Sequence, residues 1–361
     1  MKAVLCKQFG PPESLVIEEL PSPKAGAGEV VVSVKAASLN FPDVLIIQNK
    51  YQFKPPLPFS PGSEMSGLVK EVGEGVKGYK PGDRVIAFTT YGAFAEEVKV
   101  EANRLVPIPE GMDYNSAAAF LLTYGTSDHA LRDRAQLKAG ETLLVLGAAG
   151  GVGLAAIEIG KAMGATVIAC ASSADKLDVC KQHGADAGIN YATEDMREKI
   201  KELTGGKGVD VVYDAVGGAY SEPALRSTAW RGRFLVVGFA AGEIPKIPLN
   251  LTLLKGCSIV GVFWGDFARR PSIASAFWVA SAISFSAATS VNRTGSSKML
   301  SIWLTETVAR VWARFNTTDT LGCTPSCSRM SFFRLAKCRV PMSAVQTRKI
   351  SLARWSVSIS C

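Results

Sequence analysis

Histidine is the scarcest reactive side chain in this sequence of 361 residues, present only as His129 and His183. A zinc centre needs three or four thiolate, imidazole or carboxylate ligands gathered in one place. Two histidines cannot supply an imidazole-rich one, and both are expected at the surface or on helices rather than as ligands or catalysts. Cysteine does not make up the deficit: Cys6, Cys170, Cys180 and Cys257 lie in separate apolar runs with no CxxC pair among them. They read as buried free thiols in a reducing compartment. The opening MKAVLCKQFG has no apolar stretch of signal-peptide length and is not arginine-rich, so a cytoplasmic location is expected. Residues 273–290 are uncharged over 18 positions but dense in serine and alanine, a poor composition for a membrane span.

Acidic residues are nearly missing from one part of the chain. Of 32 acids only Glu306 and Asp319 follow Arg270, whereas 11 of the 40 lysines and arginines do. That leaves 29 basic and 30 acidic side chains in the first 270 residues, a balanced globular mixture. The formal charge of +8 is therefore local to the C-terminal stretch and points to neither nucleic acid nor an anionic membrane as partner.

The most informative stretch is residues 140–161, GETLLVLGAAGGVGLAAIEIGK. Thr142–Leu146 is an apolar run of strand type, and only small residues fill 147–151. Beyond them Val152, Ala155, Ala156, Ile159 and Met163 recur at helical period. A strand, a glycine turn and a helix in that order let backbone N–H groups approach a pyrophosphate, with the helix N-terminus adding partial positive charge. Ala148, Ala149, Gly150, Gly151, Val152 and Gly153 are the candidate cradle. Alanine at 148 stands where the dinucleotide fingerprint has its first glycine.

Residues 1–125 have a different texture. Apolar strands are expected at 29–34 and 68–72, with turn signals at Pro21-Ser-Pro23, Gly26-Ala-Gly28, Gly73-Glu-Gly75 and Pro81-Gly-Asp83. One stretch reads Pro61-Gly62-Ser63-Glu64-Met65-Ser66-Gly67-Leu68-Val69, then Val72-Gly73, Val76 and Gly82-Asp83-Arg84-Val85. Together with Gly140-Glu141, Leu144, Ala148-Ala149-Gly150-Gly151, Gly153 and Lys161, it resembles the medium-chain dehydrogenase/reductase superfamily. Within that superfamily it is most similar to the zinc-independent quinone oxidoreductase, or zeta-crystallin-like, branch. Glu158 departs from the glutamine usual there. The resemblance covers residues 1–268, about three-quarters of the chain.

It implies an α/β fold: a GroES-like β-rich catalytic domain over 1–125 and a Rossmann doubly wound parallel sheet over 126–268, followed by an atypical segment over 269–361. The alcohol dehydrogenases of the superfamily hold zinc with a cysteine near the position of Asn40 and a Gly-His-Glu where this chain has Gly62-Ser63-Glu64. With those ligands replaced, no metal is expected. The resemblance also implies a homodimer, extended through an edge strand at 257–262.

The end of the second strand of the nucleotide-binding half, expected at 165–169, bears on the cofactor. NAD sites place an acid about 20 residues after the glycine turn; here Ala171, Ser172 and Ser173 stand there, followed by Lys176. Hydroxyls and an ammonium suit a 2′-phosphate, so NADPH is expected, and the resemblance adds Tyr191. Later strands at 209–213 and 233–237 end in glycine-containing turns. Gly217, Gly238 and Phe239 are thus candidates for close approach to ribose and nicotinamide at the C-terminal ends of the strands, with Phe263 near the nicotinamide end.

Hydride transfer to an electron-poor carbon needs positioning and a hydrogen-bond donor for the developing oxyanion. By resemblance, Asn40 and Asp43 line the cleft, and Tyr51 and Thr126 lie beside the nicotinamide. Asn40 and Asp43 also flank Pro42 in the pattern of a helix cap, and Leu45 falls where several relatives carry tyrosine. The expected activity is NADPH-dependent reduction of a small-molecule quinone or α,β-unsaturated carbonyl. A 2-enoyl thioester reductase and a non-catalytic NADPH-binding structural or RNA-binding protein stay open as alternatives.

From Pro271 the text becomes rich in serine and arginine, with four of the six tryptophans, four of the eight cysteines and two glycines. Neither a capped helix nor an alternating strand stands out in it. Cys323, Cys327 and Cys338 lack the partners of a zinc site. Residues 271–361 are expected to derive from a shifted reading frame, or otherwise not to be a selected sequence, and to pack poorly.

Overall fold

Apolar runs and glycine contacts account for most of the architecture. The computed structural model describes residues 1–268; the expectations stated for residues 269–361, including the uncharged run, the three cysteines and the reading-frame origin, lie outside the described residues. A two-stranded antiparallel ribbon opens the chain, β1 (Lys2–Leu5) against β2 (Val16–Glu19). There follow β3 (Glu29–Ala37), helix α1 (Phe41–Ile47), β4 (Glu64–Val72), β5 (Arg84–Phe88), β6 (Glu97–Glu101) and β7 (Leu105–Pro107). The last five strands named form an antiparallel sheet in the order β6-β3-β4-β5-β7. Its core is Val30, Val32, Met65, Val85, Ala87 and Val98, all buried.

Strands β3 and β4 are longer than their apolar runs. Ala36 pairs with Ser66 and Ala37 with Met65. A Cβ added to Gly67 would lie 2.2 Å from the Ser33 carbonyl oxygen, so the glycine that weakens the strand signal is what lets the two backbones approach.

Helices α2 (Tyr114–Ala118) and α3 (Leu121–Asp128) lead out of this sheet, and α3 continues into a π-helical turn, His129–Arg134. Helix α3 thus runs through position 125, where the sequence suggests the change of domain. Six strands follow: β8 (Thr142–Leu146), β9 (Thr166–Ala171), β10 (Ala187–Asn190), β11 (Val209–Asp214), β12 (Thr228–Val236) and β13 (Ser258–Gly261). Between them run α4 (Gly151–Ala162), α5 (Ala174–Gln182), α6 (Met196–Leu203), α7 (Ser221–Arg226) and α8 (Asn250–Lys255), and α9 (Trp264–Phe267) comes last.

All six strands are parallel, in the order β10-β9-β8-β11-β12-β13. Leu143, Leu144, Val145 and Leu146 are buried without alternation, as a sheet covered on both faces requires. The chain turns from one side of the sheet to the other between β8 and β11, which opens a crevice at the strand C-termini. Strand β12 begins five residues before the apolar run at 233–237, behind Arg231 at φ 62° and a register shift against β11. Gly232 explains the interruption: a Cβ there would meet Thr228 at 2.4 Å.

Candidate functional site

The crevice is built first by the turn after β8. Gly147 takes φ +66°, its missing side chain making room for Val216 from the end of β11. Ala148 is buried and donates its N–H to Cys170 O at 3.0 Å, which explains why alanine serves in the glycine position: the methyl group faces the core. Gly150 caps α4 without a side-chain bond, and both Gly150 and Gly151 are exposed. Gly153 is held closest, since a Cβ would lie 2.5 Å from Gly147 O and 2.6 Å from Ala148 O. Ala149 and Val152 pack against the sheet core beneath the turn, and Thr123 of α3 lies beside Gly151.

At the end of β9 four of the expected residues come together. Lys176 Nζ donates to Ser172 Oγ at 2.9 Å. The Tyr191 hydroxyl is hydrogen-bonded to Ser172, although burial dominates and pushes its pKa up. The Tyr191 ring packs on Tyr220 with centroids 4.4 Å apart, and its backbone N–H donates to Ala171 O at 3.2 Å. Ser173 caps α5 with its hydroxyl uncommitted to the helix. The first carboxylate after the strand, Asp175, stands on the exposed first turn of α5.

The third wall comes from the ends of β11 and β12. Gly217 has φ +72°, and the Phe239 ring fills the space beside it. Asp214, which the sequence does not single out, shapes this turn: Oδ1 accepts the N–H groups of Val216 and Gly217 at 2.9 and 2.8 Å, and Oδ2 accepts the Ser221 hydroxyl at 2.6 Å. Its backbone oxygen accepts from Val237 and Gly238, so one residue ties both glycine turns together. Phe263, before α9, is half exposed.

On the side of the antiparallel sheet, Asn40 and Asp43 form a capping box at the start of α1. Asp43 Oδ2 accepts the Asn40 backbone N–H at 2.9 Å and Oδ1 accepts the Ser63 hydroxyl at 3.3 Å. The cap pattern seen in the sequence is thus real, and Asn40 stays half buried while Asp43 is buried. Burial raises Asp43 to about 6 against the lowering effect of those two bonds. Tyr51 packs against the cluster of Ile46 and Ile47 of α1 with Phe59. Thr126 follows Gly125 on α3, where Trp264 covers the glycine.

Glu64 is the residue that sequence reasoning passed over. It is fully buried at the start of β4. Its Oε1 accepts the N–H groups of Leu121 and Leu122 at the start of α3, the second at 3.1 Å, and its Oε2 accepts the Ser38 hydroxyl at 3.0 Å. Burial raises it to about 7, with the Leu122, Ser38, Leu121 and Asn40 hydrogen bonds opposing. In the sequence it stood only as the glutamate of Gly62-Ser63-Glu64, at the start of an apolar strand, with no role of its own.

Both histidines sit on helix ends and pair with carboxylates. His129 is buried, not at the surface; it bonds Asp133 at 2.8 Å and stacks on Phe267. His183 bonds Glu158 at 2.6 Å, and the other oxygen of Glu158 accepts the Tyr124 hydroxyl at 2.5 Å. Among the described residues no three His, Cys, Asp or Glu side chains gather as metal ligands, and no helix is long and apolar enough to cross a membrane.

Comparison with known proteins agrees with this geometry. Residues 26–110 match the alcohol dehydrogenase GroES-like domain family and residues 151–278 the zinc-binding dehydrogenase family. A quinone oxidoreductase-like protein 2 homolog of Nematostella vectensis is 42% identical over 272 residues, 74% of each chain. The solved structure of Escherichia coli quinone oxidoreductase complexed with NADPH aligns with a TM-score of 0.71 at 28% identity, covering 89% of this chain and 91% of that one. The CurK enoyl reductase structure aligns with a TM-score of 0.70 at 26% identity, covering 76% and 85%.

Proposed function

We propose, from the premise that this chain belongs to the quinone oxidoreductases of the medium-chain dehydrogenase/reductase superfamily, that it reduces quinones or α,β-unsaturated carbonyls with NADPH and without zinc. The observation that carries the cofactor choice is the Ser172, Lys176 and Tyr191 cluster at the end of β9, with alanine where an NAD site has a carboxylate. Three hydrogen-bonding side chains, one of them cationic, suit a phosphate dianion and give the bare ribose hydroxyls of NADH less. The glycine turn fits the pyrophosphate by the same physical test: a Cβ at Gly153 would close it. Bound there, NADPH supplies a hydride.

The chain's own part is to orient and polarise. Asn40 offers an amide N–H to the substrate oxygen, and the Tyr51 hydroxyl offers a second donor. Asp43 holds the cap that carries Asn40, and Thr126 on α3 borders the nicotinamide. With Asn40 and Ser63 where the zinc branch has ligands, polarisation falls to these donors. Residues 1–125 bind substrate in this reading and 126–268 bind cofactor.

The likeness to CurK enoyl reductase favours one second reading, a 2-enoyl thioester as acceptor in the same cleft. Exposed Trp230, Leu253 and Leu254 near the edge strand β13 suit a homodimer built on that edge, readable by sedimentation. A cytoplasmic location accords with four buried free thiols.

The test is NADPH and NADH oxidation with 1,4-quinones, enones and enoyl thioesters, with and without a chelator. Turnover with NADPH and a quinone or enone, indifferent to chelation, is expected. Tighter binding of NADH, or activity abolished by the chelator, would end this reading.

A further inference from the structure

A chain of hydrogen bonds with a fixed direction runs beneath Asn40. Glu64 is fully buried and accepts at both oxygens: the α3 N–H groups on Oε1 and the Ser38 hydroxyl on Oε2 at 3.0 Å. A serine hydroxyl has one proton, and while Glu64 is ionised the carboxylate takes it. Ser38 Oγ can therefore meet Asn40 only as an acceptor. Accordingly it is Asn40 Nδ2 that points to it, donating at 2.9 Å. The turn that carries the amide is held by the Asp43 N–H donating to the Asn40 backbone oxygen at 3.0 Å and by the Asn40 N–H donating to Asp43 Oδ2 at 2.9 Å. Nδ2 carries two protons: one is donated to Ser38, and the least of the interactions holding the Glu64 carboxylate comes from the same amide, so Glu64 acts on Asn40 directly as well as through Ser38.

Without the carboxylate the Ser38 proton is released, and the hydroxyl can donate to Oδ1 of a flipped amide as readily as it accepts from Nδ2. We infer that Glu64 is a positioning residue which, through Ser38, fixes the end of the Asn40 amide presented to the cleft and so keeps Asn40 a donor. A carboxylate buried against two backbone N–H groups of α3 suits this task. The carboxylate that orients Asn40 through Oε2 anchors the helix carrying Thr126 through Oε1, so donor and nicotinamide border share one fixed residue. The inference rests on the reading of Asn40 as donor to the substrate oxygen.

The test uses the full chain with Ser38→Ala, Ser38→Thr, Glu64→Gln and the Ser38→Ala/Glu64→Gln double variant, with Asn40→Ala as reference. With NADPH and 1,4-benzoquinone, Ser38→Ala and Glu64→Gln are each expected to lower kcat about 10-fold or more, as befits a misaimed oxyanion donor. The KM for NADPH stays unchanged, and Ser38→Thr, which keeps the hydroxyl, recovers most of the rate. The double variant should be no slower than the worse single one, because both break one chain. Multiplicative losses, or wild-type kcat in both single variants while Asn40→Ala is slow, would overturn the inference.

Ser38→Ala touches neither α3 N–H group, so it keeps the test open if Glu64→Gln fails to fold. A readout independent of turnover is the Asn40 side-chain amide pair in a proton–nitrogen spectrum, identified by its loss in Asn40→Ala. Slow exchange in the wild type and fast exchange in Ser38→Ala are expected; identical behaviour overturns the relay. Wild-type turnover in Asn40→Ala would instead sink the donor reading of Asn40, and the amide spectrum would still decide the relay.

Discussion

Lys176 reaches back one helical turn to place its ammonium 2.9 Å from the hydroxyl of Ser172. The pair stands at the mouth of the sheet beside Tyr191, and both members are exposed. A bound 2′-phosphate would exchange this weak local bond for charge-assisted ones. Lys176→Ala is expected to weaken NADPH binding about 10-fold, about 1.4 kcal/mol, and to leave NADH nearly untouched. Ser172→Asp should go further and reverse the preference, because a carboxylate there repels the phosphate and accepts from ribose hydroxyls. Fluorescence titration with both nucleotides checks this; equal losses for the two would place the adenosine phosphate elsewhere.

Gly153 packs against the carbonyl oxygens of Gly147 and Ala148, which belong to the backbone and cannot rotate away. A methyl group at 2.5 Å must push α4 off the turn. Gly153→Ala is expected to cost about 1–3 kcal/mol of stability and to abolish tight nucleotide binding. Gly151→Ala, which meets only the Thr123 methyl group at 3.0 Å, should be milder on both counts. Thermal midpoints and NADPH titration of the two variants separate crowding from loss of the cradle.

What could be read from the sequence was local. The apolar run at Thr142–Leu146 and the glycines behind it declare a strand and a turn by themselves, and β8 begins and ends where the run does. The Asn40 and Asp43 spacing announced a cap in the same way. What stayed hidden is set by partners distant in the chain. Gly67 and Gly232 look like strand breakers until the carbonyls of Ser33 and Asp210 are seen against them. Glu64 looked like an ordinary charged residue because the N–H groups that satisfy it arrive 57 residues later, on α3. Asp214 gives no signal of its own in the sequence, since the role of its acceptor oxygens depends on a turn that does not exist until the sheet is formed.

Arg233 ties the start of β8 to β12. Its guanidinium donates to both oxygens of Glu141 at 2.8 and 2.7 Å and to Ala135 O at 2.9 Å. Burial pushes Glu141 up, but Arg233 and the Lys138 N–H outweigh it and hold its carboxyl below the usual range. The pair is bidentate and about 20% exposed on each side, which puts it above an ordinary surface pair and below a fully buried one. Arg233→Ala is expected to cost about 1–3 kcal/mol, and Arg233→Lys somewhat less because one donor can still reach. Urea unfolding midpoints check this, and neither change should alter nucleotide preference, the site lying at the opposite ends of these strands.

The two carboxylates under the cleft set a pH dependence opposite in sign to that of a surface acid. Burial raises Glu64 from 4.5 to about 7 and Asp43 from 3.8 to about 6. The groups facing Glu64 are the Leu121 and Leu122 N–H groups, Ser38 and Asn40, and those facing Asp43 are the Asn40 N–H and Ser63; none is charged. A raised carboxyl binds its proton in the folded state at a pH where the unfolded chain has released it. Stability therefore falls as pH rises from about 4.5 to 7.

The acids held below their ordinary values, Glu29, Glu97, Asp113, Glu141 and Asp186, act only at lower pH. Asp128, raised chiefly by burial, adds to the same trend. The unfolding midpoint should thus climb as the solution is taken from pH 7.5 to 5.0. Glu64→Gln, which has no proton to gain, should remove on the order of 2 kcal/mol of that climb. Calorimetric scans across this range decide it: equal slopes in the wild type and Glu64→Gln would mean that Glu64 keeps its charge state through the window and is better stabilised by Ser38 and the α3 N–H groups than its burial implies.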